Sequence, residues 1–164
     1  IINHQAVLGI LHAPYYGLTY MAALGGGAWL FDGQQTLPLN TVTLPTLPRL
    51  LVSRFHAQGK YNQQLLNHVQ QKFGEFDVLQ VGSALKMCQI AQGKADFYPR
   101  FGTTMEWDTA AGQIILEEAG GALVDFTGKP FAYNRRDTLK NNGFVVVGDK
   151  SHLQDWLACM RFES

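Results

Sequence analysis

Asp108, in the stretch Trp107-Asp108-Thr109-Ala110-Ala111-Gly112, stands where a helix would begin. Two roles suit a carboxylate there. It can cap the helix by accepting a bond from a free N–H of the first turn, or it can give an oxygen to a divalent cation. The spacing leaves both open. The small residues behind it let the helix start lie close to another backbone or to a ligand. Gly82-Ser83-Ala84-Leu85-Lys86 is a second position of interest. A serine at a helix start and a lysine off the apolar stripe would together hold an anion such as phosphate. A capping serine and a solvated lysine account for the same residues. Arg100 follows Pro99 at a strand end, and its fork suits a phosphate or carboxylate as well as open solvent. His56 follows the strand end at Ser53-Arg54-Phe55-His56, where loops of alternating α/β folds bind ligands, or where a histidine merely sits in a loop. No G-x-S-x-G elbow accompanies Ser53, which argues against a nucleophilic triad. Together these cationic and donor positions and one carboxylate suit a polyphosphate ligand with a divalent cation. Glu117 and Glu118 read as a solvated helix face, and Glu106 has no assigned role.

Strand-to-helix alternation must position these groups. Tyr61, Leu65, Val69 and Phe73, with Leu66 beside them, give a helix over 60–73 an apolar stripe, closed by Gly74. Ala84, Met87, Cys88 and Ala91 mark a second helix beginning at Gly82-Ser83 and ended by Gly93. Ala111, Ile114, Ile115 and Ala119 give the Asp108 helix its buried face, with Gly120-Gly121 after it. Leu153, Trp156, Leu157 and Met160 share a face of a last helix that Ser151 could cap. Strands are expected at 50–52, 78–81, 95–98 (stopped by Pro99), 123–126 and 144–147, with loops at 100–106 and 134–142. Before them, runs at 6–11, 18–22, 28–31 and 35–37, broken by Tyr15-Tyr16-Gly17, Gly25-Gly26-Gly27 and Asp32-Gly33, read as an antiparallel meander. The glycine triplet is not a G-x-G-x-x-G phosphate fingerprint. Residues 39–48, with three Thr, three Leu and two Pro, read as a linker. The expected fold class is therefore α/β, a meander followed by a mixed sheet flanked by helices. The expected division is 1–40, the end of an incomplete sheet subdomain, and 41–164, an α/β subdomain.

The 164 residues suffice for a packed core, and 46% are hydrophobic. Lys+Arg and Asp+Glu are equal at 13, so no net field draws the chain to nucleic acid or demands a membrane surface. No apolar run reaches the roughly 20 residues of a membrane span. Cys88 and Cys159, outside any zinc-type spacing, are expected to be buried reduced thiols, as in a cytoplasmic protein. The opening Ile1-Ile2-Asn3-His4-Gln5 reads as the middle of a domain.

Trp107-Asp108-Thr109-Ala110-Ala111-Gly112, followed by Glu118-Ala119-Gly120-Gly121, resembles the C-terminal signature of the inositol monophosphatase family. Within it, Ser53-Arg54-Phe55-His56, Gly82-Ser83-Ala84-Leu85-Lys86 and Tyr98-Pro99-Arg100-Phe101 are similar to the CysQ-type 3'(2'),5'-bisphosphate nucleotidases. The likeness runs over essentially the whole chain. It implies a layered α/β sandwich that uses Mg2+ to remove phosphate from small molecules and is typically inhibited by lithium. The CysQ type cleaves the 3'-phosphate of adenosine 3',5'-bisphosphate, giving AMP, and serves sulfur assimilation. By the same resemblance Asp108 is a catalytic metal ligand close to the substrate. His56, Ser83, Lys86 and Arg100 match positions that contact the nucleotide or its phosphates. Two further family motifs, a Glu-Glu pair and Asp-Pro-Leu/Ile-Asp-Gly-Thr, are not in these residues. The resemblance thus implies a C-terminal part, inactive without an N-terminal half that carries most metal ligands. Two other readings stay open: an inositol- or sugar-phosphate phosphatase, and a non-catalytic nucleotide-binding module.

Overall fold

The computed structural model describes residues 1–52 and 60–162. In chain order the elements are β1 (Leu8–Ala13), β2 (Leu18–Ala23), β3 (Ala28–Phe31), β4 (Thr36–Leu39), β5 (Arg49–Val52), α1 (Lys60–Phe73), β6 (Asp77–Gln80), α2 (Leu85–Ala91), β7 (Phe97–Arg100), β8 (Thr104–Met105), α3 (Glu106–Glu118), β9 (Ala122–Asp125), β10 (Lys140–Asn141), β11 (Phe144–Val147) and α4 (Leu153–Cys159). β1 to β4 form an antiparallel meander in the order β1-β2-β3-β4. A mixed five-stranded sheet runs β6-β5-β7-β11-β9, with β5 parallel to β6 and β7, and β11 antiparallel to β7 and β9. β8 and β10 pair as a two-stranded ribbon.

The period-2 alternation of β11 shows how the layers stack. Phe144 and Val146 join Leu51, Tyr98 and Leu123 in a core shared with α2, α3 and the inner face of the meander. Val145 and Val147 face the other way, with Leu50, Phe97 and Val124, onto α1 and α4. There Trp156 stacks on Phe97 at 4.2 Å and lies against Phe73 at the same distance. The molecule is thus a sandwich of meander, helix pair α2/α3, mixed sheet and helix pair α1/α4. The small residues of the Asp108 helix serve that arrangement. Gly9 of β1 lies so close to α3 that a Cβ there would sit 2.7 Å from the Ala111 carbonyl oxygen. A Cβ on Gly112 would meet the Met87 sulfur of α2 at 2.7 Å. The opposite face of the meander carries exposed Leu8, Ile10, Trp29 and Phe31.

Several local expectations are corrected. Pro99 lies inside β7, opposite Val145. Alternate residues of an antiparallel ladder turn their N–H away from the partner, and β5 registers with β7 only at Leu50–Phe97, so no strand requires an N–H from Pro99. Segments 100–106 and 134–142 are not plain loops, because Thr104 and Asn141 pair across them. Asp149, not Ser151, caps the last helical segment, accepting from the Ser151 N–H at 3.0 Å and from its hydroxyl at 2.6 Å. Glu118 is not simply solvated. Its two oxygens accept from the N–H groups of Gly25 and Gly27 at 3.0 and 2.8 Å, pinning the β2–β3 turn to α3.

Candidate active site

The α3 start is fixed by a buried polar network. Glu106 is the first residue of α3 and is buried. Its carboxylate accepts from the Asn134 N–H at 2.8 Å and pairs with Arg136 at 3.5 Å, while its own N–H donates to the Leu139 carbonyl at 2.8 Å. Arg136 also donates to Asn141 Oδ1 at 3.1 Å, and Asn141 Nδ2 donates to Thr109 Oγ1 at 3.0 Å. Sequence reasoning gave Glu106 no role, yet it anchors the 134–141 segment to the helix. The signal lies in partners nearly thirty residues away, which no local spacing reveals.

Asp108 is therefore not the N-cap. That position belongs to Met105, and Asp108 is the third helical residue, reaching back so that Oδ2 accepts from the Met105 N–H at 2.8 Å. This is the acidic half of a capping box. Oδ1 has no hydrogen-bond partner among the described residues, and the side chain is exposed. The cap thus occupies one oxygen and leaves the other open.

The second helix begins two residues later than expected. Ala84 is its N-cap, and α2 has only seven residues, too short for its dipole to carry an anion site by itself. Ser83 holds a left-handed conformation, φ 62°, that serine rarely adopts. Its Oγ accepts from the Leu85 N–H at 3.3 Å. The turn folds Lys86 inward rather than outward. Lys86 is 3% exposed, its Nζ donates to the Ser83 carbonyl at 3.2 Å, and it stands 4.9 Å from the Tyr98 ring centroid. It forms no salt bridge among the described residues. Burial, and then the nearby Arg100 guanidinium, pull its pKa down to about 8.

One cleft of about 360 Å³ brings Ser83, Lys86, Arg100 and Asp108 together, with Tyr98 and Thr104 beside them. Arg100 Nε and Thr104 Oγ1 are buried and lack hydrogen-bond partners among the described residues. A cationic cleft with unsatisfied donors has the chemistry to accept an anion. Tyr98 and Thr104 were not singled out from sequence: one sits beneath the lysine, the other on the short ribbon strand β8. His56 lies outside the described residues.

The donors also bear on Mg2+. Among the described residues no cluster of three or more His, Cys, Asp or Glu side chains forms. Mg2+ takes few carboxylates and fills its octahedron with phosphate oxygens and water. Asp108 Oδ1, a free hard oxygen beside an anion cleft, fits one place in such a set. Cys88 and Cys159 take no part. Both are buried and free, and burial pushes their thiols up to about 12 and about 11.

Among the described residues no helix is long and apolar enough to cross a membrane. Residues 1–162 match the profile described as "Inositol monophosphatase family". The 3'(2'),5'-bisphosphate nucleotidase CysQ of Shigella flexneri is 38% identical over 148 residues, 89% of this chain and 57% of that protein. The CysQ of Haemophilus influenzae is 35% identical over 162 residues, 98% of this chain and 58% of that one. The crystal structure of Bacteroides thetaiotaomicron CysQ superposes with a TM-score of 0.79 at 28% identity, covering 90% of this chain and 60% of that chain. The chain thus spans a little over half the length of these relatives. The profile match and the layered fold agree with the signature around Asp108, and this chain belongs to the inositol monophosphatase family.

Proposed function

We propose that the chain forms part of a Mg2+-dependent phosphomonoesterase that hydrolyses the 3'-phosphate of adenosine 3',5'-bisphosphate, giving AMP and phosphate. The observation that carries this reading is the buried Lys86 ammonium, without a salt bridge among the described residues, in one cleft with Arg100 and Asp108. The named activity of the CysQ relatives supports it. Lys86 and Arg100 hold phosphate oxygens as charge-assisted donors. Thr104 donates its free hydroxyl to the same anion. Asp108 offers Oδ1 to Mg2+ while Oδ2 keeps its cap, so the helix start orients the ligand oxygen. When bound, the ion supplies activation of water and neutralisation of charge on the phosphoryl oxygens. Two protein cations beside a metal ligand suit a substrate with two phosphates better than a neutral ring with one. His56 is assigned to the nucleotide by resemblance alone, and the proposed compartment is the cytoplasm.

One carboxylate does not complete a Mg2+ set, so the 164-residue chain by itself is expected to release no phosphate. Phosphate release is to be assayed for this chain and for the complete product of its coding sequence. The complete product is expected to prefer adenosine 3',5'-bisphosphate over inositol 1-phosphate. Asp108→Asn in it should lower turnover by more than about 100-fold, beyond the loss typical of second-shell changes. Preference for inositol 1-phosphate would replace the substrate assignment. Unchanged turnover in the Asp108 variant would remove that residue from the metal site. Mg2+-dependent release by the 164-residue chain alone would refute the need for further ligands.

A further inference from the structure

Glu106, Thr109, Arg136 and Asn141 close a ring of hydrogen bonds around the first turn of α3. Arg136 Nη2 donates to Asn141 Oδ1 at 3.1 Å, Asn141 Nδ2 to Thr109 Oγ1 at 3.0 Å, and Thr109 Oγ1 to the Glu106 carbonyl at 3.2 Å. The Glu106 carboxylate completes the ring by accepting from the same Arg136 nitrogen at 3.5 Å. Only one sense of bonding satisfies this ring. A guanidinium has no acceptor, so Arg136 must take Asn141 Oδ1, and that turns the amide nitrogen toward Thr109. Thr109 has one proton and gives it to the Glu106 carbonyl, so it accepts from Asn141. Glu106, Thr109 and Asn141 are 5%, 0% and 2% exposed, which leaves water little access to these bonds. Asn134, which gives its N–H to Glu106, holds φ 54°. A left-handed residue other than glycine persists where its surroundings over-determine it. Thr104, the ribbon partner of Asn141, and Thr109 both wall the cleft, with Asp108 between them in the chain.

We propose that Asn141 is a positioning residue for the free oxygen of Asp108, held in its working sense by Arg136. The proposal rests on the metal-ligand reading of Asp108 above and deepens it. Asn141 acts on two walls of the cleft at once. Its backbone pairs with Thr104 on β8, and its amide holds Thr109 on α3. Asp108 Oδ2 is tied to the N–H of Met105, the residue after Thr104. The direction of Oδ1 is thus set by the angle between the ribbon and the first turn of α3, and the amide braces that angle. Stability alone does not call for such a brace. Buried charged groups are often matched in stability by apolar side chains of similar volume. What a fully satisfied polar ring adds is a single geometry.

Asn141→Asp tests this, because it keeps the shape and the acceptor for Arg136 but removes the donor to Thr109. In the 164-residue chain, the amide proton resonance of Met105 reports its bond to Asp108, since a carboxylate acceptor draws it downfield. In the complete product of the coding sequence, electron paramagnetic resonance of added Mn2+, without substrate, reports the affinity of the metal site. Asn141→Asp is expected to move the Met105 resonance toward its position in Asp108→Asn. It should weaken Mn2+ binding by about 10- to 100-fold, the usual cost of losing a group that orients a metal ligand. Arg136→Met, at an exposed position that folding tolerates, frees the amide to turn over and should shift both readouts the same way. Thr109→Ser keeps the hydroxyl and should retain both. Phe73→Leu loosens the contact with Trp156 in the far helix layer, so it should lower the urea midpoint and leave both readouts unchanged. An unmoved Met105 resonance or an unchanged Mn2+ affinity in the Asn141 and Arg136 variants overturns the proposal and leaves the metal site standing. Equal shifts in the Phe73 variant also overturn it, because the ring would then serve stability alone. Failure of the unchanged complete product to bind Mn2+ overturns the metal reading of Asp108, and the proposal with it.

Discussion

Lys86 carries an unusual load for a single side chain. It is a buried ammonium whose oxygen partner is a carbonyl and whose floor is a tyrosine ring. Burial, then Arg100, lower its pKa from the ordinary 10.5 to about 8, so folding weakens its hold on the proton. Stability should therefore rise with pH between about 8 and 10.5, where the unfolded chain is still protonated and the folded one is not, and stay at its lower level below that window. Lys86→Met keeps the stem and removes the charge. We expect it to raise stability by about 1 kcal/mol at pH 7, since a buried unpaired charge costs more than a methionine of similar shape. A lower urea midpoint for the variant would contradict this. The same variant should bind inorganic phosphate about 10- to 100-fold more weakly, the worth of a charged hydrogen bond. In the unchanged protein, phosphate affinity should fall as pH passes about 8 and the ammonium is lost. Phosphorus NMR titrations at pH 7 and 9 would read both effects.

At the scale of elements, α3 does most of the positioning, and its sequence shows why only part of that was legible. Its small residues suggested a close approach, and Gly9 and Gly112 mark where β1 and α2 make it. The two glycines differ in what a methyl group would meet. At Gly9 the obstacle is helix backbone, so Gly9→Ala is expected to cost about 3 kcal/mol through overpacking. At Gly112 it is the flexible end of Met87, and the gain of alanine over glycine in a helix offsets the shift, so Gly112→Ala should stay within about 1 kcal/mol. Equal midpoints for the two in urea denaturation would refute that ranking. Periodicity placed α1 and β11 correctly because their patterns are local. It missed β8 and β10, which are two residues each and exist only as a pair across 104 and 141. For Asp108 the spacing left cap and ligand both open, and it did not show that the capping bond runs back to Met105, because a side chain reaching back three residues leaves the same sequence mark as one reaching forward. Ser83 misled for a similar reason: serine favours helix starts, and nothing in the letters announced a positive φ.

At the scale of the molecule, alternating apolar patterns were enough to foresee a meander and a mixed sheet with helices. The stacking order was not, since it depends on which face of each strand meets which helix. That order leaves one sheet face bearing Leu8, Ile10, Trp29 and Phe31 toward solvent. Its consequence is colloidal. With a formal net charge of zero at pH 7, copies of the chain have no long-range repulsion to hold them apart. Apolar faces of this kind then drive association by mass action. Light scattering should show the particle size of the isolated chain growing with concentration at pH 7. Trp29→Lys, which breaks the patch and adds charge, should suppress the growth. A size independent of concentration would show that the exposed face is too dispersed to be adhesive. Growth with concentration would mean that handling of the isolated chain is set by that one face of the meander.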